Sequence, residues 1–188
     1  MCKKSLFFIF EAFELLKQLS LRQTFMKIGL IFISFVLFSY VGKGLRGWQA
    51  FDKAGYYTVM ASGDITAVDS TLSLLQQAGI KEKEAYEGAL LMRKAGLLRR
   101  PKDRLSVFRS GARKLETALA KDSSNGEYHF LRLIIQEHAP DVVHYNKEVE
   151  KDSQFVCRSF KLLSPVVQKA ILDYSKHSKT LRAKELNG

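Results

Sequence analysis

From Leu45 onward, apolar residues recur at steps of three and four, the period of helices that bury one face. No stretch alternates in the way a half-buried strand would. The first apolar face is Trp48, Phe51, Ala54 and Tyr57, beside Gly55 and Val59. The second is Ile65, Val68, Leu72 and Leu75, with Asp64 placed to cap its start and Gly79 to follow its end. A third helix is expected over 82–94, carrying Tyr86, Ala89, Leu90 and Met92 and stopping before Gly96. Pro101 suits the first turn of a fourth, whose apolar face is Leu105, Phe108, Ala112, Leu115 and Leu119.

Ser124 and Glu127 have the spacing of a capping box and would open a fifth helix after the turn at 122–126. Residues 128–136 (YHFLRLIIQ) are apolar on nearly every side, which places that helix in the middle of a bundle. Pro140 ends it. Two short helical stretches are expected next, over 141–151 and 153–163. Ser164 and Pro165 open a last helix with Val166, Val167, Ala170, Ile171 and Tyr174 on one face. The tail from Ser178 is polar and expected to fray.

Gly111, Leu115 and Ala118 recur at steps of four and three before a Lys-Asp-Ser-Ser-Asn turn. That stretch resembles the second helix of a tetratricopeptide repeat, in which small residues let paired helices approach closely. The turn has Ser123 where a proline is usual, and no second full repeat is visible, so any three-helix packing accounts for the spacing equally well. The expected fold class is all-α. It is a bundle of antiparallel helix pairs, tetratricopeptide-repeat-like, preceded by an N-terminal hydrophobic signal or anchor helix.

That leading segment is residues 28–41 (IGLIFISFVLFSYV), a run of 14 without a charge. A bilayer span needs about 20 apolar residues, and runs of about 10–14 belong to signal peptides or buried helices. Lys27 precedes the run, and Gly42 and Gly44 follow it as a poor cleavage site with Lys43 between them. A cleaved signal, an uncleaved single span and a buried helix are the three readings. Read from Met26, the chain starts as a compact signal sequence, leaving 1–25 as an upstream extension. The alternative for 1–25 is an amphipathic helix on the inner membrane surface. Lys3, Lys4, Lys17, Arg22 and Lys27 all precede the run, which favours a cytoplasmic N-terminus and a domain outside the cytoplasm. The organisation is thus 1–25, a signal or anchor over 26–44, a helical domain over 45–177, and a tail over 178–188.

Three stretches carry a family resemblance: residues 84–92 (EAYEGALLM), residues 101–108 (PKDRLSVF), and residues 131–136 (LRLIIQ) with Ala139, Pro140 and Tyr145. Together with the signal-like segment, they resemble a group of uncharacterised exported helical proteins of Bacteroidota, over roughly residues 47–156. The resemblance implies an exported helical fold and no particular chemistry.

Composition narrows the function classes. The 188 residues include 46% hydrophobic residues, 3 Pro and 2 Cys, which excludes a disordered chain and a disulfide scaffold. Cys2 precedes the apolar run and is no lipobox cysteine; Cys157 reads as a small core residue. The four histidines, His129, His138, His144 and His177, have no metal-ligand spacing, and no cofactor is expected. Neither a nucleophile elbow nor a phosphate-cradling glycine loop is present. Glu137 and His138 are adjacent and point to different sides of a helix. An enzyme of unrecognised type is the lesser reading.

Two candidate surfaces remain. Arg132 and Gln136 lie four apart on the most apolar helix and share a face, with Asp141, Glu148, Glu150 and Asp152 as nearby acids. They form either an internal polar network or, with Tyr86, Tyr128 and Tyr145, a groove for a partner protein of the cell envelope. The second surface is basic: Arg93, Lys94, Arg99, Arg100, Lys102, Arg104, Arg109, Arg113 and Lys114, nine cations against the single acid Asp103. It contributes most of the formal net charge of +11 and would attract polyanions. For an exported domain, anionic lipid or an acidic envelope polymer fits better than nucleic acid. The bland reading is a solvated basic face.

Overall fold

The computed structural model describes residues 51–186. The signal or anchor over 26–44, the segment before it and Trp48 lie outside the described residues. Seven α-helices follow in order: α1 Lys53–Ala61, α2 Ile65–Gln77, α3 Lys83–Leu97, α4 Pro101–Lys121, α5 Gly126–His138, α6 Val149–Ser159 and α7 Pro165–Ser175. Three 3-10 turns intervene, at Asp141–Val143, Phe160–Leu162 and Ala183–Leu186, and no strand occurs among the described residues.

Local chemistry sets the helix starts. Asp52 and Asp64 cap α1 and α2 by accepting from the N–H groups of Gly55 and Thr66. Pro101 occupies the first turn of α4, where its missing N–H costs nothing. The cap of α5 is Asn125 rather than Ser124: its side chain accepts from the N–H groups of Glu127 and Tyr128. Glu127 does not reach back to complete a capping box, because it turns inward. Helix α2 ends at Gln77 without a left-handed glycine; the Ala78 N–H bonds Leu74 and Leu75, and Gly79 simply follows.

The helices pair antiparallel. Glu84 meets Lys121, Glu87 meets Lys114, and Gly88 faces Gly111 and Leu115, so α3 and α4 run in opposite directions. A Cβ on Gly88 would lie 2.6 Å from the Leu115 nitrogen, and one on Gly111 would lie 2.6 Å from the Gly88 oxygen. Backbone touches backbone there, which only glycine permits. Helices α5 and α6 pair likewise: Gly126 abuts Ser159, His129 and Arg132 reach Asp152, and Gln136 reaches the start of α6. Helix α5 packs on α3, α4 and α6, and ten of its residues are buried. It is the central helix that its all-round apolarity predicts.

Three expectations are corrected. Residues 141–163 do not form helices over 141–151 and 153–163. His144 takes a left-handed conformation, φ 49 and ψ 39, which stops the 3-10 turn, and one helix then starts at Val149. The tail is not frayed over 178–186: Leu181 and Leu186 are buried, and Thr180 is bonded to Glu137. Ile65, Leu105 and Val166, expected on the apolar faces of their helices, are exposed.

Candidate functional site

The Arg132–Gln136 face meets α6 at a fully buried carboxylate. Asp152 Oδ2 accepts from Arg132 Nε at 2.7 Å and from Gln136 Nε2 at 2.6 Å. Its Oδ1 accepts from Arg132 Nη2 at 2.8 Å and lies 2.7 Å from His129 Nδ1. His129 Nε2 lies 2.9 Å from the Ser123 carbonyl, and Gln136 Oε1 accepts from the Glu148 N–H. Arg132 Nη1 extends the set to Glu116, which also accepts from the Tyr145 hydroxyl. Burial pushes the Asp152 carboxyl up. The Arg132 and His129 hydrogen bonds outweigh that and hold it below its ordinary range. Every polar end in this set has a partner, and the set joins α4, α5 and α6.

A second buried set lies on the other side of α5. Glu127 accepts from Tyr57 at 2.9 Å, from Tyr86 and from Lys53 at 3.0 Å. Burial, and then the Glu127 charge, raises the Tyr57 and Tyr86 hydroxyls well above the ordinary tyrosine value. Sequence reasoning missed this set, because Glu127 reads as a capping residue. Tyr128 is buried as well, and burial pushes its hydroxyl up to about 12. Tyr86, Tyr128, Arg132 and Gln136 are therefore interior, and Tyr145 is half-buried against Phe108 at 5.4 Å between ring centroids.

The nine basic residues separate three ways. Lys94, Arg100 and Lys114 are ion-paired with Asp69, Asp103 and Glu87. Arg99, Lys102, Arg104, Arg109 and Arg113 are exposed and have no carboxylate partner among the described residues. Arg93 donates from Nη2 to the Ser62 carbonyl at 2.7 Å, while its Nε is buried without an acceptor.

An open groove of about 1330 Å³ lies beside this basic face. Its walls are α1 (Ala54, Tyr57, Met60), the end of α3 (Met92, Ala95) and the start of α4 (Leu105, Phe108). The end of α5 (Ile134, Ile135), the turn after it (Val142, Val143) and α7 (Val166, Ala170, Tyr174) complete them. Three of the exposed large apolar residues, Leu105, Val142 and Val166, stand at this groove. Arg93, Arg104, Arg109 and Lys169 are its cations and Asp173 its one carboxylate. The arrangement suits apolar contact with positive charge at the margin; His138 and His177 also line it, and Lys169 and Asp173 pair with one another there.

No group of histidine, cysteine or carboxylate side chains among the described residues could hold a metal ion. No described helix is long and apolar enough to cross a membrane. No family model matches the chain, and no curated protein or solved structure matches it.

Proposed function

We propose that the chain is a non-enzymatic protein-interaction module of the cell envelope, and that its groove takes the apolar face of a helix from a partner protein. The groove is the observation that carries this reading. Apolar side chains from α1, α3, α4, α5, the turn after α5 and α7 converge on it, and three of them stay exposed with nothing of the described chain over them. Helix-in-groove recognition uses such a surface, anchored at positions one and two turns apart. The close α3–α4 pairing at Gly88 and Gly111 supports a tetratricopeptide-like ancestry for that helix pair. The apolar run at 28–41 behind its basic flank supports export or membrane anchoring, with the helical domain outside the cytoplasm.

Site-specific photocrosslinking of the full chain in its native host tests the reading. A photoreactive residue at Val142, inside the groove, is expected to give a discrete protein adduct. The same residue at Leu74, 64% exposed and remote from the groove, is expected to give none. Equal labelling at both sites overturns the groove assignment.

A second reading, binding to an anionic membrane surface or polymer, is favoured by Arg99, Lys102, Arg104, Arg109 and Arg113, which carry no partner among the described residues. It predicts sedimentation with anionic vesicles that disappears as salt is raised.

A further inference from the structure

We infer that the helix taken by the groove is acidic on its polar side; this rests on the groove being a protein-binding site. Among the groove's charged residues, Lys169 and Asp173 neutralise one another at 2.7 Å, and Asp173 also meets Lys176. The three arginines are not neutralised. Arg104 and Arg109 have no carboxylate partner among the described residues, and Arg93 keeps a buried Nε without an acceptor. The groove therefore holds a surplus of guanidinium charge next to apolar walls.

The register on α4 gives that charge a direction. At about 100° per residue, Pro101, Leu105 and Phe108 form one stripe, and Arg104 and Arg109 lie on its two sides. A helix whose apolar face rests on that stripe brings its flanking positions to the two guanidinium groups. Carboxylates at those flanks make charge-assisted, two-point hydrogen bonds, whereas lysines there would be repelled.

The occupant must also be wide. Val142 is 80% exposed, Val166 40% and Leu105 39%, so apolar surface lies at the mouth as well as on the floor. A single acyl chain could fill the floor and would leave the mouth wet. A helix about 10–12 Å across covers both. The geometry thus favours an acidic amphipathic helix over a single-chain lipid anion.

Fluorescence anisotropy with the purified full chain tests this, using two labelled synthetic helices with the same leucine face. One carries glutamate on its polar side and the other lysine. The glutamate peptide is expected to bind at least about tenfold more tightly, and the double substitution Arg104→Glu with Arg109→Glu to reverse the preference. Both arginines are exposed, so this variant should melt with the unmodified protein. Arg113→Glu, exposed and outside the groove, is the control and should leave the preference unchanged. Equal binding of the two peptides overturns the acidic face while leaving the helix-binding reading intact; binding of neither overturns both. An Arg113→Glu effect as large as that of the groove pair overturns the assignment to the groove. Binding of palmitate with no competition from either peptide transfers the groove to lipid anions and also overturns the inference.

Discussion

Arg132 grips Asp152 from one turn of α5 to the first turn of α6, Nε to Oδ2 at 2.7 Å and Nη2 to Oδ1 at 2.8 Å. His129 and Gln136 close on the same carboxylate from the turns on either side. Three side chains of one helix therefore depend on one acid of its neighbour. Removing that acid breaks a buried ion pair and leaves Arg132 only the part-exposed Glu116; breaking such a pair typically costs about 3–5 kcal/mol. Asp152→Ala is expected to lose stability on that scale in urea denaturation. Glu116→Ala removes the other carboxylate on Arg132. Glu116 has 43% of its side chain exposed, and its loss should cost about 1 kcal/mol or less. Equal losses would show that the network is not centred on Asp152.

This network was partly legible in advance. Arg132 and Gln136 stand four apart on a helix apolar nearly all round, which is enough to demand a partner for the arginine. Four acids were candidates, and the periodicity could not choose among them. The choice depends on where α6 begins, and that depends on the left-handed turn at His144, which has no strong local signal. The outlines of α1–α5 and α7 were legible for the opposite reason: period, caps and Pro101, Pro140 and Pro165 are all local. The groove was not legible. Leu105 and Val166 have core-like spacing, and only the packed structure reveals that no described element covers them. The docked tail was hidden too, because its two buried leucines, Leu181 and Leu186, are too sparse among polar residues to read as an apolar face.

The α3–α4 crossing makes a prediction about glycine. Gly88→Ala and Gly111→Ala each place a Cβ within 2.6 Å of the facing backbone, which cannot give way as a flexible side chain would. Each is expected to cost about 1–3 kcal/mol, as overpacked sites do. A Cβ on Gly63 meets nothing within 4 Å, and its φ is not positive. Gly63→Ala should therefore be neutral or stabilise by up to about 1 kcal/mol through the unfolded state. Thermal melts of the three variants give the comparison, and a Gly88→Ala variant as stable as Gly63→Ala would refute the close crossing.

Glu137 makes the C-terminal docking sensitive to acid. It accepts from the Tyr174 hydroxyl at 2.5 Å, the Ser178 hydroxyl at 2.8 Å and the Thr180 hydroxyl and N–H at 2.6 and 3.0 Å. Burial raises its carboxyl, and the bonds from Thr180, Tyr174 and Ser178 outweigh this, holding it below its ordinary value of 4.5. A depressed carboxyl contributes stability that is fully present above its unfolded value and is lost as the pH falls through the folded one. Protection of the Thr180 amide against hydrogen exchange should therefore be constant above about pH 5 and collapse well below pH 4. Glu137→Gln should remove most of the protection at neutral pH and flatten the acid response. Protection at neutral pH that Glu137→Gln leaves unchanged would contradict the assignment.

The groove makes the reverse prediction about stability. A core position with the spacing of Leu105 would lose about 2–5 kcal/mol on truncation to alanine. Leu105 is 39% exposed and Val142 80%, so far less of their apolar surface is withdrawn from water than at a core position. Leu105→Ser and Val142→Ser should thus change stability by no more than about 1 kcal/mol, and should reduce the tendency of the free protein to associate. Binding should respond in the opposite sense. Those same atoms are desolvated when a helix lies across the groove mouth, and each substitution should weaken the glutamate peptide several-fold. Leu74→Ser, at an exposed apolar residue that does not line the groove, supplies the reference, since it should leave both stability and binding unchanged. Anisotropy titrations paired with melts separate the two quantities. If Leu105→Ser cost several kcal/mol in stability, Leu105 would be a core residue and the groove would be closed in solution.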